Sequence, residues 1–196
     1  MSSSIEEWAH ALIHSRQTIL PKRLAAPGPD ARQLDLIVAA AGAAPDHDRL
    51  LPWRFVQVPG PARGALAEAF DQALVERDAL ATPEQREQAR EKAYRAPLLL
   101  LAVVRLPDGD PPPAPGEVPR DVPLAERILS AGCAIQNMLL MATALGFGSA
   151  LTSGKALQSA ALRGLFGLGP HEQALTFLSI GTPTVRKPVR ERPQPA

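Results

Sequence analysis

A single domain that mixes α-helices with β-strands is what this sequence predicts, and three observations carry the expectation. The chain has 196 residues, 45% of them hydrophobic, which is enough for one proper core. Its apolar residues follow two different periods: helical spacing near the start and an alternation of large apolar with polar residues over 53–58. A short apolar run at 97–104 and a long one at 124–145 then differ in length as a buried strand differs from a buried helix. No internal repeat interrupts this pattern.

The elements follow in order. Ser4 caps a first helix, with Glu7 at capping-box spacing. Ile5, Trp8, Leu12 and Ile13 fall on one face of it. After the Pro27-Gly28-Pro29 break, Asp30 and Gln33 repeat the capping-box spacing. The second helix turns Leu34, Ile37, Val38 and Ala41 inward and ends near Ala43, since Pro45 disfavours helical geometry in the residue before it. Residues 53–58 read as a half-buried strand, stopped by Pro59-Gly60-Pro61. Helices are expected over 62–77 and 83–92, and the apolar run 98–104 is a buried strand, far too short to span a membrane.

Residues 107–123 are rich in proline and read as an exposed, extended, mobile flap. They do not divide the chain, because neither half alone would bury both central strands; residues 1–196 form one domain. The pattern 124–145 is apolar almost all round, which places that helix in a core or at a subunit interface. A strand or extended segment at 146–154, a short helix at 156–166 and a last strand at 174–180 complete the chain before a basic, proline-rich tail.

Charge and cysteine content narrow the function. Lys and Arg total 21 against 20 Asp and Glu, so nothing favours bulk attraction to nucleic acid or to a membrane. The first residues lack the basic and apolar regions of a signal peptide. The one cysteine, Cys133, sits in an apolar helical run as a structural thiol, which suits a reducing cytoplasm. His10 and His14 have metal-ligand spacing but no third ligand, and read as a solvated pair. No His-Glu-x-x-His, paired CxxC or G-x-S-x-G motif is present, and Gly146-Phe147-Gly148 lacks the strand-turn-helix setting of a dinucleotide fingerprint. No side-chain catalyst stands out, as expected where a bound cofactor does the electron chemistry.

Four segments carry the functional signal. Arg16-Gln17-Thr18 places an arginine and a hydroxyl two residues apart, where both can converge on one phosphate. Ala44-Pro45-Asp46-His47 leads through Leu51-Pro52-Trp53 into a strand. Gly146-Phe147-Gly148-Ser149-Ala150-Leu151-Thr152-Ser153-Gly154 follows the long helix. Ile180-Gly181-Thr182-Pro183 ends the last strand, followed by Arg186, Lys187 and Arg190. Taken singly, each has a plain structural explanation, such as a basic helix terminus or a C-capping glycine. In this order they cover nearly the whole chain, and together they resemble the nitroreductase family of flavoproteins, in its short, single-domain subgroup of NAD(P)H nitroreductases.

The resemblance implies an α+β fold: a mixed, mainly antiparallel sheet flanked by helices, in an intertwined homodimer with the 124–145 helix at its centre and FMN at the subunit interface. It further implies that Arg16, Gln17 and Thr18 hold the FMN phosphate. Lys22 or Arg23 would reach the ring or ribityl chain, Leu151, Thr152 and Ser153 would lie against the ring through their backbone, and Arg186 would help at the phosphate. Pro45, Asp46 and His47 would come from the partner subunit. The activity implied is electron transfer from NAD(P)H to small electron-poor acceptors, nitroaromatics or quinones, by a ping-pong mechanism. Leu51 departs from the family pattern, which has Gln before Pro-Trp. Two other readings stand beside this one: a non-catalytic flavin-binding or flavin-handling protein, and an interaction domain whose proline-rich loop recruits a partner.

Overall fold

The computed structural model describes residues 4–112, 115–116, 120–186 and 188. Lys187, Arg190 and parts of the proline-rich loop and the basic tail lie outside the described residues.

A five-stranded, wholly antiparallel sheet is built around two long central strands, β3 (Leu98–Arg105) and β5 (Glu172–Pro183). β2 (Trp53–Gln57) pairs with the outer side of β3. On the far edge of β5 lie β4 (Gly148–Thr152), opposite residues 177–181, and the two-residue β1 (Leu24–Ala25), opposite Thr182 and Pro183. Helices α1 (Ile5–Ser15), α2 (Ala31–Ala41), α3 (Arg63–Arg77), α4 (Pro83–Glu91), α5 (Leu124–Ala144) and α6 (Ala160–Leu165) flank this sheet.

β3 explains its own composition. Leu98, Leu100 and Ala102 pack toward α2 and α5, with Ile37, Ala134 and Met138. Leu99, Leu101 and Val103 pack toward α3 and α6, with Leu66, Ala67 and Leu162. Successive strand residues point to opposite faces, so a strand covered on both faces must be apolar at every position. β5 is longer than the 174–180 expected because its two edges bind different partners. β1 has no signal of its own; pairing with the end of β5 alone makes it a strand.

The capping boxes of α1 and α2 form as their spacing predicts, with Ser4–Glu7 and Asp30–Gln33 bonded both ways. α1 departs from expectation. None of its residues is buried, and Ile5 (88%), Trp8 (68%) and Ile13 (55%) are exposed, as is Leu129 (69%) on neighbouring α5. The apolar stripe is where the sequence places it, but this chain alone does not cover it.

α5 is also not apolar all round. Arg127 is fully buried in its first turns. Its guanidinium donates to both carboxylate oxygens of Asp110, at 2.8 Å from Nη1 to Oδ1, and its Nε donates to the Val122 carbonyl at 2.8 Å. Arg105 donates to the same carboxylate at 3.0 Å. The opening of the loop expected to be a mobile flap is thereby tied to β3 and α5. Among the described residues, no helix is long and apolar enough to cross a membrane.

Candidate functional site

The edge of β4 is where the sequence-marked segments meet. Thr18 forms a parallel bridge with Ser149, and the Ile19 N–H donates to the Ser149 carbonyl at 2.9 Å. Gly148 allows this approach, since a Cβ there would stand 2.9 Å from Ile19 Cγ1 and 3.0 Å from Leu24 Cδ2. Gly148→Val should therefore push the 18–24 segment off the sheet and cost about 1–3 kcal/mol by overpacking. A lowered urea midpoint would record this.

Beyond the bridge the edge is open. In a strand, the N–H and C=O of one residue point to the same side, and the side alternates along the chain. Ser149 faces the 18–19 segment, so Leu151 turns its N–H and C=O to the same outer edge, where no strand pairs among the described residues. Leu151, Thr152 and Ser153 are exposed there. The Ser153 hydroxyl donates to the Leu175 carbonyl at 3.1 Å, which fixes the end of the strand. At Gly154 a Cβ would point into open space. Free backbone donors beside an open glycine form a cradle for a flat ligand with a polar rim.

This edge borders a cleft of about 600 Å³. Phe70, Leu99 and Phe177 supply its apolar surface, with the Phe70 and Phe177 rings edge to face at 5.6 Å. Thr152, Ser153 and Gly154 line it from β4, and Leu20 and Pro21, rather than Lys22, close it from the N-terminal segment. Lys22 lies exposed on the next turn. The far wall comes from α3, α4 and the turn after α4. Asp71, 2% exposed on α3, fixes that wall by accepting from Arg86 (2.8 and 2.8 Å) and Arg90 (2.7 Å) of α4. The Arg86 hydrogen bonds hold the Asp71 carboxyl below the usual carboxylate range.

The other marked residues divide into two groups. Arg16 caps the end of α1 and, like Gln17, is half-buried beside the Thr18 bridge. Arg186 donates to the Gly146 carbonyl at 2.6 Å, at the start of the β4 segment. These residues gather at one end of β4. Pro45, Asp46 and His47 do not. The Asp46 carboxylate accepts from the Leu51 N–H at 2.7 Å and clasps the turn, and His47 Nδ1 lies 2.9 Å from Glu126 Oε2 in the first turn of α5. The hydrogen bond to Glu126, aided by Asp48, raises the His47 imidazole above its ordinary pKa. Asp48, Arg49 and Leu51 all have positive φ (55°, 50° and 45°), so this turn holds a backbone that L-residues rarely adopt. No glycine marks it in the sequence, and the strain could not have been read there.

The distance between the two groups follows from α5. Glu126 and Gly146 stand at its opposite ends, and its 21 residues span about 30 Å. Ser149 lies three residues past Gly146, about 10 Å of strand. His47 is thus on the order of 20 Å or more from the Thr18 end of its own chain, too far for both to hold one phosphate. His10 and His14 stack at 4.3 Å, and no group of His, Cys, Asp or Glu suited to a metal occurs among the described residues.

Helices on both faces of an antiparallel sheet, with an open strand edge above a cleft, define an α+β ligand-binding domain. The chain belongs to the Nitroreductase family, whose model matches residues 13–182. It is 36% identical over 161 residues to the "Putative NAD(P)H nitroreductase" of Haemophilus influenzae (strain ATCC 51907 / DSM 11121 / KW20 / Rd), covering 82% of each chain. Solved structures share the fold. The nitroreductase-like family protein from Bacillus cereus superposes with a TM-score of 0.76 at 19% identity, covering 100% of this chain and 93% of that one. The FMN-dependent nitroreductase NfnB from Mycobacterium smegmatis, solved in complex with NADPH, gives 0.69 at 18% identity, covering 92% and 89%.

Proposed function

We propose that this protein is an FMN-dependent oxidoreductase that takes electrons from NAD(P)H and gives them to small electron-poor acceptors such as quinones or nitroaromatics. The observation that carries this is the open outer edge of β4 beside the Thr18 bridge, facing an apolar cleft. Bound FMN would supply the electron chemistry, uptake of hydride from the nicotinamide and release of electrons to the acceptor in a separate half-reaction, for which ping-pong kinetics are expected. The chain's own residues hold and orient it. Arg16, Gln17 and Thr18 would take the phosphate, helped by Arg186. The backbone of Leu151 to Ser153 would bond the polar rim of the ring, and Gly154 leaves room for its plane. The apolar surface at Phe70 and Phe177 excludes water from the other side.

A second copy of the chain completes the site in this reading. Two α5 helices packed antiparallel about a two-fold axis would bring the partner's N-terminal end, with its Pro45–His47 turn, to the Arg16–Thr18 end of this chain. They would also cover the exposed stripes of α1 and α5. Exposed apolar patches of this kind are characteristic of interfaces. With one cysteine, the protein suits the cytoplasm.

The test begins with the visible spectrum of the purified protein. A flavin band that bleaches anaerobically with NADH or NADPH and returns with a quinone supports the reductase. A band that stays oxidised would leave a flavin-binding protein without turnover, and no band after incubation with FMN would overturn the reading. Arg16→Ala removes one charge-assisted bond to phosphate and is expected to weaken FMN binding about tenfold or more. Equilibrium dialysis showing unchanged affinity would remove Arg16 from the phosphate site.

A further inference from the structure

The far wall of the cleft gathers cations at the ends of two helices, where each also suits the helix dipole. Arg77 at the end of α3, and Lys92 and Arg95 just after α4, all line it. Asp78 is the acid that lines it with them. Its carboxylate already accepts the Leu80 N–H at 3.1 Å. Arg95 has Glu91 at 3.7 Å, whereas Arg77 and Lys92 have no carboxylate within ion-pair distance among the described residues. The neighbouring cations that do serve the fold, Arg86 and Arg90, are both engaged with Asp71. Arg77 and Lys92, both exposed and without a side-chain ion pair among the described residues, therefore line the same cleft as Phe70 and Phe177, a space sized for a small molecule.

We propose that this wall selects the acceptor: an electron-poor aromatic molecule that carries a carboxylate, with its ring against Phe70 and Phe177 and its anionic group between Arg77 and Lys92. The proposal rests on the reading of the β4 edge as the flavin site, since that edge forms the opposite wall. A carboxylate on a flat ring satisfies both sides of the cleft at once. The apolar surface takes the ring, and the cations gain the partner they lack. A neutral acceptor of the same shape would gain the apolar surface only. An anion could also arrive on the electron donor, as the 2′-phosphate of NADPH, and the experiment separates these sources.

Binding of 4-nitrobenzoate and of neutral, nearly isosteric 4-nitrobenzamide is measured by calorimetry on the flavin-loaded protein, without reductant. The anion is expected to bind about tenfold or more tightly than the amide, the advantage of a charge-assisted hydrogen bond. That advantage should shrink with added salt and disappear in the Arg77→Gln/Lys92→Gln double variant, while amide binding moves less than twofold. The NADPH-to-NADH ratio of kcat/KM should be the same in variant and parent. Equal affinity of the parent for anion and amide would overturn the proposal. So would a variant whose NADPH-to-NADH ratio falls while its discrimination between the two acceptors is kept. The reductase reading fails separately, through a missing flavin band or a flavin that NAD(P)H does not bleach, and neither of those is a binding ratio.

Discussion

Asp110→Ala should be the most damaging single substitution outside the site, at about 3–5 kcal/mol, because it leaves a buried guanidinium without its counter-ion. Arg127 is fully buried, and Asp110 is its carboxylate partner, shared with Arg105. The remaining bonds, to the carbonyls of Val122 at 2.8 Å and of Arg105 and Leu106 at 3.5 Å, satisfy N–H groups but no charge. Urea denaturation monitored by circular dichroism reads the loss directly. A shift below 1 kcal/mol would mean that the pair is not formed in solution. The double variant Asp110→Ala/Arg127→Met removes both charges and should recover much of the loss, since an apolar replacement of a buried pair is often neutral.

The same pair makes a pH prediction with a definite sign. Hydrogen bonds from Arg127, then from Arg105, hold the Asp110 carboxyl below its usual range. A carboxyl depressed on folding contributes its stabilisation fully above its unfolded pKa, about 3.9, and loses it as the pH falls through the lower folded value. The acid limb of the stability profile below pH 4 should therefore be shallower in Asp110→Ala than in the parent protein.

The sequence was legible where local pattern and final environment agree. The capping boxes and the unbroken apolar run of β3 each state what they become, whereas in β2 the alternation holds only as far as Phe55, because Val56 packs on the other face of the sheet. β1 was not legible, because two residues carry no period and only the end of β5 makes them a strand. Arg127 was missed inside an otherwise apolar helix, since a buried charge is announced by its partner, and Asp110 lies 17 residues away in a loop of low complexity. Of the site, the Arg16–Thr18 and Leu151–Ser153 segments could be found by motif, and the structure sets both at one edge of the sheet. The cationic wall could not. Arg77 comes from α3, and Lys92 and Arg95 from the turn after α4, and the meeting of these two elements depends on the buried Asp71 clasp. In α1 the sequence places Ile5, Trp8, Leu12 and Ile13 on one face, and a single chain leaves that face uncovered.

That uncovered face leads to the second large effect, which tests whether the proposed site is divided between two subunits. His47 and the Arg16–Thr18 segment stand at opposite ends of α5 within one chain. If each site takes one group from each subunit, Arg16→Ala and His47→Ala homodimers both carry a defect in every site. A heterodimer of the two carries both defects in one site and none in the other. Differently tagged variants, co-expressed and purified through both tags, should bind one flavin per dimer with parental affinity, while each homodimer binds weakly. If the two residues instead served the same chain's site, every site of the heterodimer would keep exactly one defect and no parental site would appear. The expected recovery is all or none per site, so a titration with FMN followed by flavin fluorescence separates the two arrangements without reference to turnover. A His47→Ala homodimer that binds FMN with parental affinity would instead place His47 outside the flavin site, leaving its contact with Glu126 as its role.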